Sequence, residues 1–167
     1  MRFSFWPNPS QSFTDVLALT KHAENTNWDG VWYADHFMPN AEDTSAPWPE
    51  AWVTLAALGA QTNRVRLGTL VTGNTYRHPA VLAKMAATLD HITNGRVVLG
   101  MGSGWQENEH RQYGIEFFSV NERLDRLAEA CQVIKALFNE RSADFSGRHY
   151  QLQAASLEPK PVQQPLP

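Results

Sequence analysis

The chain has 167 residues, of which 43% are hydrophobic and 11% aromatic, enough to bury the core of one globular domain. Its net charge is -3, from 14 Lys and Arg against 17 Asp and Glu, so no basic surplus favours nucleic acid as a partner. Pro7 soon interrupts the apolar start, and no long apolar run occurs. We therefore expect no signal peptide, no membrane partner and a cytoplasmic location.

Four short β-rich runs recur along the chain, with helical patterns between them. The runs are Arg2–Trp6, Val31–Ala34, Val65–Val71 and Val97–Met101. Consecutive apolar residues, as at 97–99, are typical of parallel strands that are covered by helices. The alternation predicts four βα units.

The segments between the strands have helical spacing and marked ends. The first helix follows Ser12 as its N-cap, and the second spans about residues 50–63. The third opens with Pro79 and stops at Gly95, while the longest begins at Ser119. The apolar stripes of these helices predict a core, not a cofactor-binding motif.

Two architectures contain repeated βα units. A doubly wound sheet usually has a glycine-rich phosphate loop after its first strand, whereas residues 7–9 here read Pro-Asn-Pro and offer few free N–H groups. A (β/α)8 TIM-type barrel fits better, because polar residues and glycines follow the second, third and fourth strands. The sequence therefore predicts an α/β fold that is the N-terminal half of such a barrel.

Four units cannot close a barrel that needs about eight strands. We therefore expect residues 1–167 to form a single partial domain of a longer protein. Residues 142–158 are expected to form a short excursion or hairpin. The proline-rich segment 159–167 is expected to be a connector toward a missing fifth strand.

Two strand ends carry candidate chemistry. Asp35 and His36 follow the second strand, where the histidine could transfer a proton and the adjacent carboxylate could orient it. The alternative is that Asp35 caps a turn and His36 is a loop residue. Gly100, Gly102 and Gly104 after the fourth strand could let the backbone approach a flat ring or a phosphate. They lack the spacing of a dinucleotide fingerprint, and a turn with unusual φ is the alternative.

A metal site is not expected. Glu107, Glu109 and His110 lie close in sequence, but there is no H-x-H after the first strand and no H-E-x-x-H helix. The run 105–111 instead predicts a short polar helix over the barrel mouth, with Glu107 facing Arg111. A solvated helix face is the alternative interpretation of this pattern.

Several segments together resemble the luciferase-like monooxygenase superfamily, and specifically its branch of coenzyme F420-dependent oxidoreductases. They are GVWYADHFMP at 30–39, RLGTLVTGNTYRHP at 66–79, LDHITNGR at 89–96 and LGMGSGW at 99–105, with Glu109-His110 and Tyr113-Gly114. Their order agrees with four βα units, and the similarity covers essentially the whole chain.

The resemblance implies an oxidoreductase that transfers a hydride between coenzyme F420 and a small organic substrate, with His36 and Asp35 as catalytic residues. It implies a cis peptide bond between Leu70 and Val71, lying against the cofactor ring. The expected cofactor-binding residues are Asp35, His36, Leu70, Val71, Thr72, Asn74, Gly102, Ser103, Gly104 and Trp105.

Two departures limit this resemblance. In the branch that oxidises a sugar phosphate, a glutamate follows the last glycine of the fourth-strand motif, whereas Trp105 stands here. Sugar-phosphate oxidation is therefore not expected. Family members also run to roughly twice this length, as a complete barrel requires, and their phosphate-binding loops lie in the other half.

Two alternatives to F420-dependent hydride transfer stay open. An FMN-dependent luciferase-like monooxygenase shares the scaffold. The half-barrel could also be non-catalytic and self-associate, for example as a homodimer, through its open strand edges.

Overall fold

The computed structural model describes residues 1–167 and contains a four-stranded parallel sheet. The strands are β1 (Ser4–Phe5), β2 (Gly30–Tyr33), β3 (Arg66–Gly73) and β4 (Val97–Gly102). Each strand pairs in parallel with the next one in the chain, so the spatial order equals the sequence order. This is the arrangement of four successive units of a βα barrel.

Five helices accompany the sheet: α1 (Phe13–Asn25), α2 (Ala51–Gly59), α3 (Pro79–Ile92), α4 (Glu107–Tyr113) and α5 (Val120–Asn139). Side chains cap the N-termini of four of them, namely Ser12, Glu50, His78 and Ser119. The capping signals at Ser12 and Ser119 in the sequence therefore mark true helix starts. No helix combines the length and the apolar character that a membrane span requires.

Helix α2 ends earlier than the expected Asn63. The guanidinium group of Arg96 donates hydrogen bonds to the carbonyl oxygens of Gly59 at 2.9 Å, Thr62 at 2.7 Å and Val65 at 2.8 Å. Because these carbonyls bind Arg96, the chain leaves the helix and enters β3. Arg96 thus joins the end of α2 to the starts of β3 and β4.

A hairpin follows α5, within the segment 142–158. Its strands β5 (Ala143–Ser146) and β6 (Gln151–Ala155) are antiparallel and form a separate sheet. The carboxylate of Glu129 on α5 accepts hydrogen bonds from the three backbone N–H groups of residues 148–150. This contact fastens the hairpin to α5.

Residues 159–167 form no helix or strand and lie along β4. The side chain of Gln163 donates to the carbonyl oxygen of Val97 at 2.8 Å. The backbone N–H of Leu99 donates to the carbonyl oxygen of Pro167, also at 2.8 Å. The proline-rich segment therefore occupies part of the edge of β4.

The core lies between the sheet and the helices. A single cluster of 21 buried hydrophobic residues includes Val31 and Leu67 from the strands and Leu55 and Leu82 from the helices. Because side chains alternate along a strand, Trp32 lies on the other face of β2. Trp32 is half-buried there.

Close packing on this second face predicts the effect of a glycine substitution. A Cβ atom at Gly68 would lie 2.2 Å from the carbonyl oxygen of Val98 and 2.8 Å from the Trp32 ring. We expect Gly68→Ala to lower the free energy of unfolding by about 1–3 kcal/mol, measured by urea denaturation. Gly30→Ala is the matched control, because its nearest contact, the carbonyl oxygen of Arg66, is 3.1 Å away. Equal losses in both variants would contradict this explanation.

Candidate active site

A cavity of about 350 Å³ opens at the C-terminal ends of the strands. This size lies within the range of small-molecule sites. Nine of the ten expected cofactor-binding residues line it, namely Asp35, His36, Leu70, Val71, Thr72, Gly102, Ser103, Gly104 and Trp105. Trp6, Gly73 and Tyr76 complete the lining and were missed from the sequence.

Asn74 is the predicted residue that the structure places elsewhere. Its amide nitrogen lies 3.3 Å from the hydroxyl oxygen of Tyr150. Together with Tyr150 and Arg126, Asn74 lines a separate cavity of about 250 Å³. Asn74 follows the last residue of β3, so its side chain lies against the hairpin and not with the other nine.

Leu70 and Val71 form an apolar wall of the first cavity. The β3–β4 pairing is irregular between Thr69 and Thr72, and the Leu70-Val71 peptide bond is cis, as the resemblance implies. The two side chains are 50% and 40% exposed, which is unusual for apolar residues inside a strand. The hydroxyl groups of Thr69 and Thr72 lie 2.6 Å apart beneath them. The irregularity thus directs two apolar side chains into the cavity.

Two glycines at the end of β4 let the chain pass close to this wall. A Cβ atom at Gly102 would lie 2.6 Å from the side chain of Val71. Gly104 has a φ of +81°, and a Cβ there would lie 2.7 Å from the Thr75 hydroxyl. Gly104 therefore makes the turn with unusual φ that was the alternative interpretation. Gly102 permits a close approach to Val71, and the approach of the backbone to a ring or a phosphate stays a prediction.

The Asp35 carboxylate makes no hydrogen bond to the ring of His36, contrary to the orienting role considered for it. This carboxylate is 1% exposed, binds Arg77 through two hydrogen bonds of 2.6 and 2.9 Å, and accepts the N–H of Gly73 at 3.0 Å. Arg77 also binds Glu50 at 2.9 Å. Burial alone lowers the pKa of Arg77, but the two carboxylates outweigh burial and raise it. Asp35 is therefore a buried anchor for the loop after β3.

The group that contacts His36 is Glu109, which sequence spacing did not indicate. Its Oε1 atom lies 2.6 Å from Nδ1 of His36, and its Oε2 atom accepts the backbone N–H of Phe37 at 2.8 Å. The Tyr76 hydroxyl donates to the same carboxylate. Burial alone raises the pKa of Glu109, but these three donors lower it below its ordinary value. Glu109 is therefore an ionised carboxylate inside the protein.

Helix α4 exists where a short polar helix was expected, but only one side of it is a solvated face. Glu109 and His110 are fully buried, and no ion pair joins Glu107 to Arg111. The Nε2 atom of His110 lies 2.7 Å from the Thr75 hydroxyl. The helix thus buries Glu109 and His110, which have hydrogen-bond partners inside the protein, and leaves Glu107 and Arg111 exposed. No group of three or more potential ligand side chains is arranged for a metal ion.

The profile of the luciferase-like monooxygenase family matches residues 1–167, the entire chain. The chain belongs to this family. The F420-dependent glucose-6-phosphate dehydrogenase of Amycolatopsis mediterranei is 39% identical over 155 residues, which are 92% of this chain and 46% of that enzyme. The enzyme of the same name from Kineococcus radiotolerans is 41% identical over 147 residues, 87% of this chain and 42% of its own length. The chain thus spans about half the length of these relatives.

Solved structures of luciferase-like enzymes have the same half-barrel. An F420-dependent secondary alcohol dehydrogenase, in complex with an F420-acetone adduct, matches with a TM-score of 0.86 and 31% identity. The match covers 96% of this chain and 49% of that enzyme. A monooxygenase from Streptomyces bottropensis also gives a TM-score of 0.86, at 26% identity, with 100% of this chain and 52% of its own covered. The four βα units therefore correspond to half of a luciferase-like barrel.

The buried ion pair predicts a large stability loss in one variant. Arg77→Met leaves the Asp35 carboxylate buried without its cation, so we expect the free energy of unfolding to fall by about 3–5 kcal/mol. Arg111→Met is the matched control, because Arg111 is exposed and has no ion pair. In urea denaturation, the free energy of unfolding of Arg111→Met should stay within about 0.5 kcal/mol of the wild-type value. Similar losses in the two variants would show that the pair does not hold this loop.

The buried Glu109 carboxylate predicts a dependence of stability on pH. Folding lowers its pKa below the ordinary 4.5, so its stabilisation is complete above pH 4.5 and is lost as pH falls through the lowered value. At pH 7 we expect the free energy of unfolding of Glu109→Gln to be about 1–3 kcal/mol lower than that of the wild type. That difference should shrink steadily below pH 4.5.

Thermal or urea unfolding between pH 3 and about pH 7 measures this difference. Glu107→Gln changes an exposed residue on the same helix, and its free energy of unfolding should stay within about 0.5 kcal/mol of the wild-type value. A constant Glu109→Gln penalty across the range would contradict an ionised carboxylate.

Proposed function

We propose that this chain forms the ring-binding half of an oxidoreductase that transfers a hydride between coenzyme F420 and a small organic substrate. The observation that carries the proposal is the cavity itself, where His36 stands beside an apolar wall made by Leu70 and Val71. The F420-dependent relatives support the choice of cofactor. His36 and Asp35 were expected as catalytic residues. We keep His36 in that role and assign Asp35 to holding the loop.

The residues of the cavity fit a flat, largely apolar ring. Leu70 and Val71 expose apolar surface on one side, and Gly102 and Gly104 add no side chain of their own to the neighbouring wall. Exposed apolar patches of this kind mark ligand-binding surfaces. When bound, coenzyme F420 supplies a ring carbon that accepts or donates a hydride.

His36 is the group placed to exchange a proton with the substrate. Its ring lines the cavity and packs edge-on against Trp105, with a centroid distance of 5.5 Å. A hydride leaving an alcohol carbon requires that the hydroxyl proton leave as well, so a base beside the ring completes the reaction. His36 takes that proton in oxidation and returns it in reduction.

The substrate proposed here is small and uncharged. No Lys or Arg lines the cavity, so the lining present here offers no Lys or Arg cation to a phosphate dianion. Trp105 is 59% exposed at the mouth of the cavity and presents apolar surface to a substrate. The proposed reaction therefore differs in substrate from the glucose-6-phosphate dehydrogenases that the chain resembles.

An FMN-dependent monooxygenase is the second candidate. The Streptomyces bottropensis monooxygenase shares this half-barrel with a TM-score as high as that of the alcohol dehydrogenase. The two flavin-type rings have the same flat shape, so the apolar wall suits both. Oxygen uptake with reduced FMN separates the two reactions.

The proposal predicts that the 167-residue chain binds F420 saturably but weakly, since no cation in this cavity holds the cofactor's phosphate. Titration of the purified chain, followed by F420 fluorescence, measures this affinity. Leu70→Glu should weaken binding by about tenfold or more, because it places a carboxylate against the ring. Val53→Glu is the matched control, as Val53 is exposed on α2 away from the cavity, and should change the affinity less than about twofold.

Parallel titrations decide between the alternatives. Tighter binding of FMN than of F420, with oxygen uptake, would favour the monooxygenase. Failure to bind either cofactor, together with a defined oligomer in sizing chromatography, would favour a non-catalytic half-barrel that self-associates through its strand edges. Equal affinity of the wild type and Leu70→Glu would refute the placement of the ring.

A further inference from the structure

The two nitrogens of the His36 ring face different surroundings. Nδ1 lies 2.6 Å from Oε1 of Glu109, inside the protein. Nε2 has no hydrogen-bond partner in the chain and is not among the buried unpartnered atoms, so it is accessible. The side chain of His36 is 19% exposed and lines the cavity. One nitrogen is therefore held by the protein, and the other is open to a ligand.

The carboxylate of Glu109 decides which nitrogen carries the proton. It is fully buried, and its pKa is lowered overall although burial alone raises it, so it accepts hydrogen bonds and donates none. Its other donors are the backbone N–H of Phe37 and the hydroxyl of Tyr76. Burial and the neighbouring carboxylate raise the pKa of Tyr76, so this hydroxyl keeps its proton and donates it. A carboxylate surrounded by donors requires a proton on Nδ1 of His36.

We infer that Glu109 is a positioning residue that fixes His36 as the Nδ1–H tautomer and leaves the lone pair of Nε2 facing the cavity. The sequence separation of 73 residues shows that the contact is made by the fold, because α4 returns to the end of β2. The Asp35 carboxylate next to His36 is occupied by Arg77 and Gly73 and does not compete for Nδ1. The charged and titratable groups around the ring therefore all favour the tautomer with the proton on Nδ1.

The catalytic consequence rests on the proposed function, whereas the tautomer does not. In oxidation of an alcohol, the O–H bond breaks and its proton goes to Nε2, while the C–H electron pair leaves with the hydride to the cofactor and a carbonyl remains. The resulting imidazolium keeps its Nδ1–H on Glu109, which offsets the new charge. The opposite tautomer would present an N–H to the substrate hydroxyl and could not take the proton.

Nitrogen-15 NMR of the imidazole rings tests the tautomer in the 167-residue chain without any cofactor. The His36 signals are assigned by their loss in His36→Gln. Spectra are recorded over a range of pH, and the tautomer is determined from the form in which only one ring nitrogen carries a proton. We expect Nδ1 to be the protonated nitrogen, with about a tenfold or larger excess over the other tautomer. A wild-type spectrum dominated by Nε2–H would overturn the inference.

Glu109→Gln gives the sharper prediction. The fixed N–H of Phe37 requires the amide oxygen, so the amide NH₂ group faces His36 and makes Nδ1 an acceptor. We expect the tautomer to invert to Nε2–H in this variant. Tyr76→Phe is the matched control, because it removes another donor from the same carboxylate and should retain Nδ1–H.

The outcomes of the two experiments are distinguishable. An unchanged His36 tautomer in folded Glu109→Gln, or inversion in Tyr76→Phe, would refute the positioning role. A chain that shows the expected tautomers but does not bind F420 would refute only the proposed function. Amide spectra of each variant establish that it is folded, and the wild-type spectrum is decisive even if a variant does not fold.

Discussion

The ion pair between Asp35 and Arg77 sets the geometry on which the cavity depends. Asp35 follows β2, accepts a hydrogen bond from Gly73 at the end of β3, and binds Arg77 in the next loop. Arg77 also reaches Glu50, the N-cap of α2. A buried ion pair is weak evidence for net stability, because desolvation offsets much of its attraction. Its role here is geometric, since it holds two strand ends and a helix start at fixed separations.

The cavity wall next to this ion pair exposes apolar side chains, which folded proteins ordinarily bury. Leu70 and Val71 project from the irregular part of β3, while the Thr69 hydroxyl satisfies the carbonyl of Gly100 below them. Where the β3–β4 pairing is irregular, this carbonyl therefore keeps a hydrogen-bond partner within the sheet. The exposed wall is the kind of surface that an aromatic ring covers, and covering it removes apolar area from water.

The same half-barrel occurs in proteins named for different reactions. The relatives are F420-dependent glucose-6-phosphate dehydrogenases, and the similar structures include a secondary alcohol dehydrogenase and a monooxygenase. Similarity in this half therefore identifies a scaffold and a class of cofactor chemistry more readily than a substrate. Trp105 illustrates the point, because it lines this cavity at the position where the sugar-phosphate branch of the resemblance has a glutamate.

The sequence by itself determined the order of the βα units and the N-caps Ser12 and Ser119, because periodicity and capping depend on residues within a few positions of one another. The ends of the predicted strands indicated Asp35, His36 and the glycines after β4, whereas the family resemblance supplied Leu70, Val71 and the rest of the predicted cavity lining. Only the tertiary structure decided the partners of the charged groups. Glu109 meets His36 across 73 residues, and Arg77 meets Asp35 across 42. It also placed Asn74 outside the cavity. Such contacts depend on how α4 and the loop after β3 dock on the strand ends, and no local pattern encodes that docking.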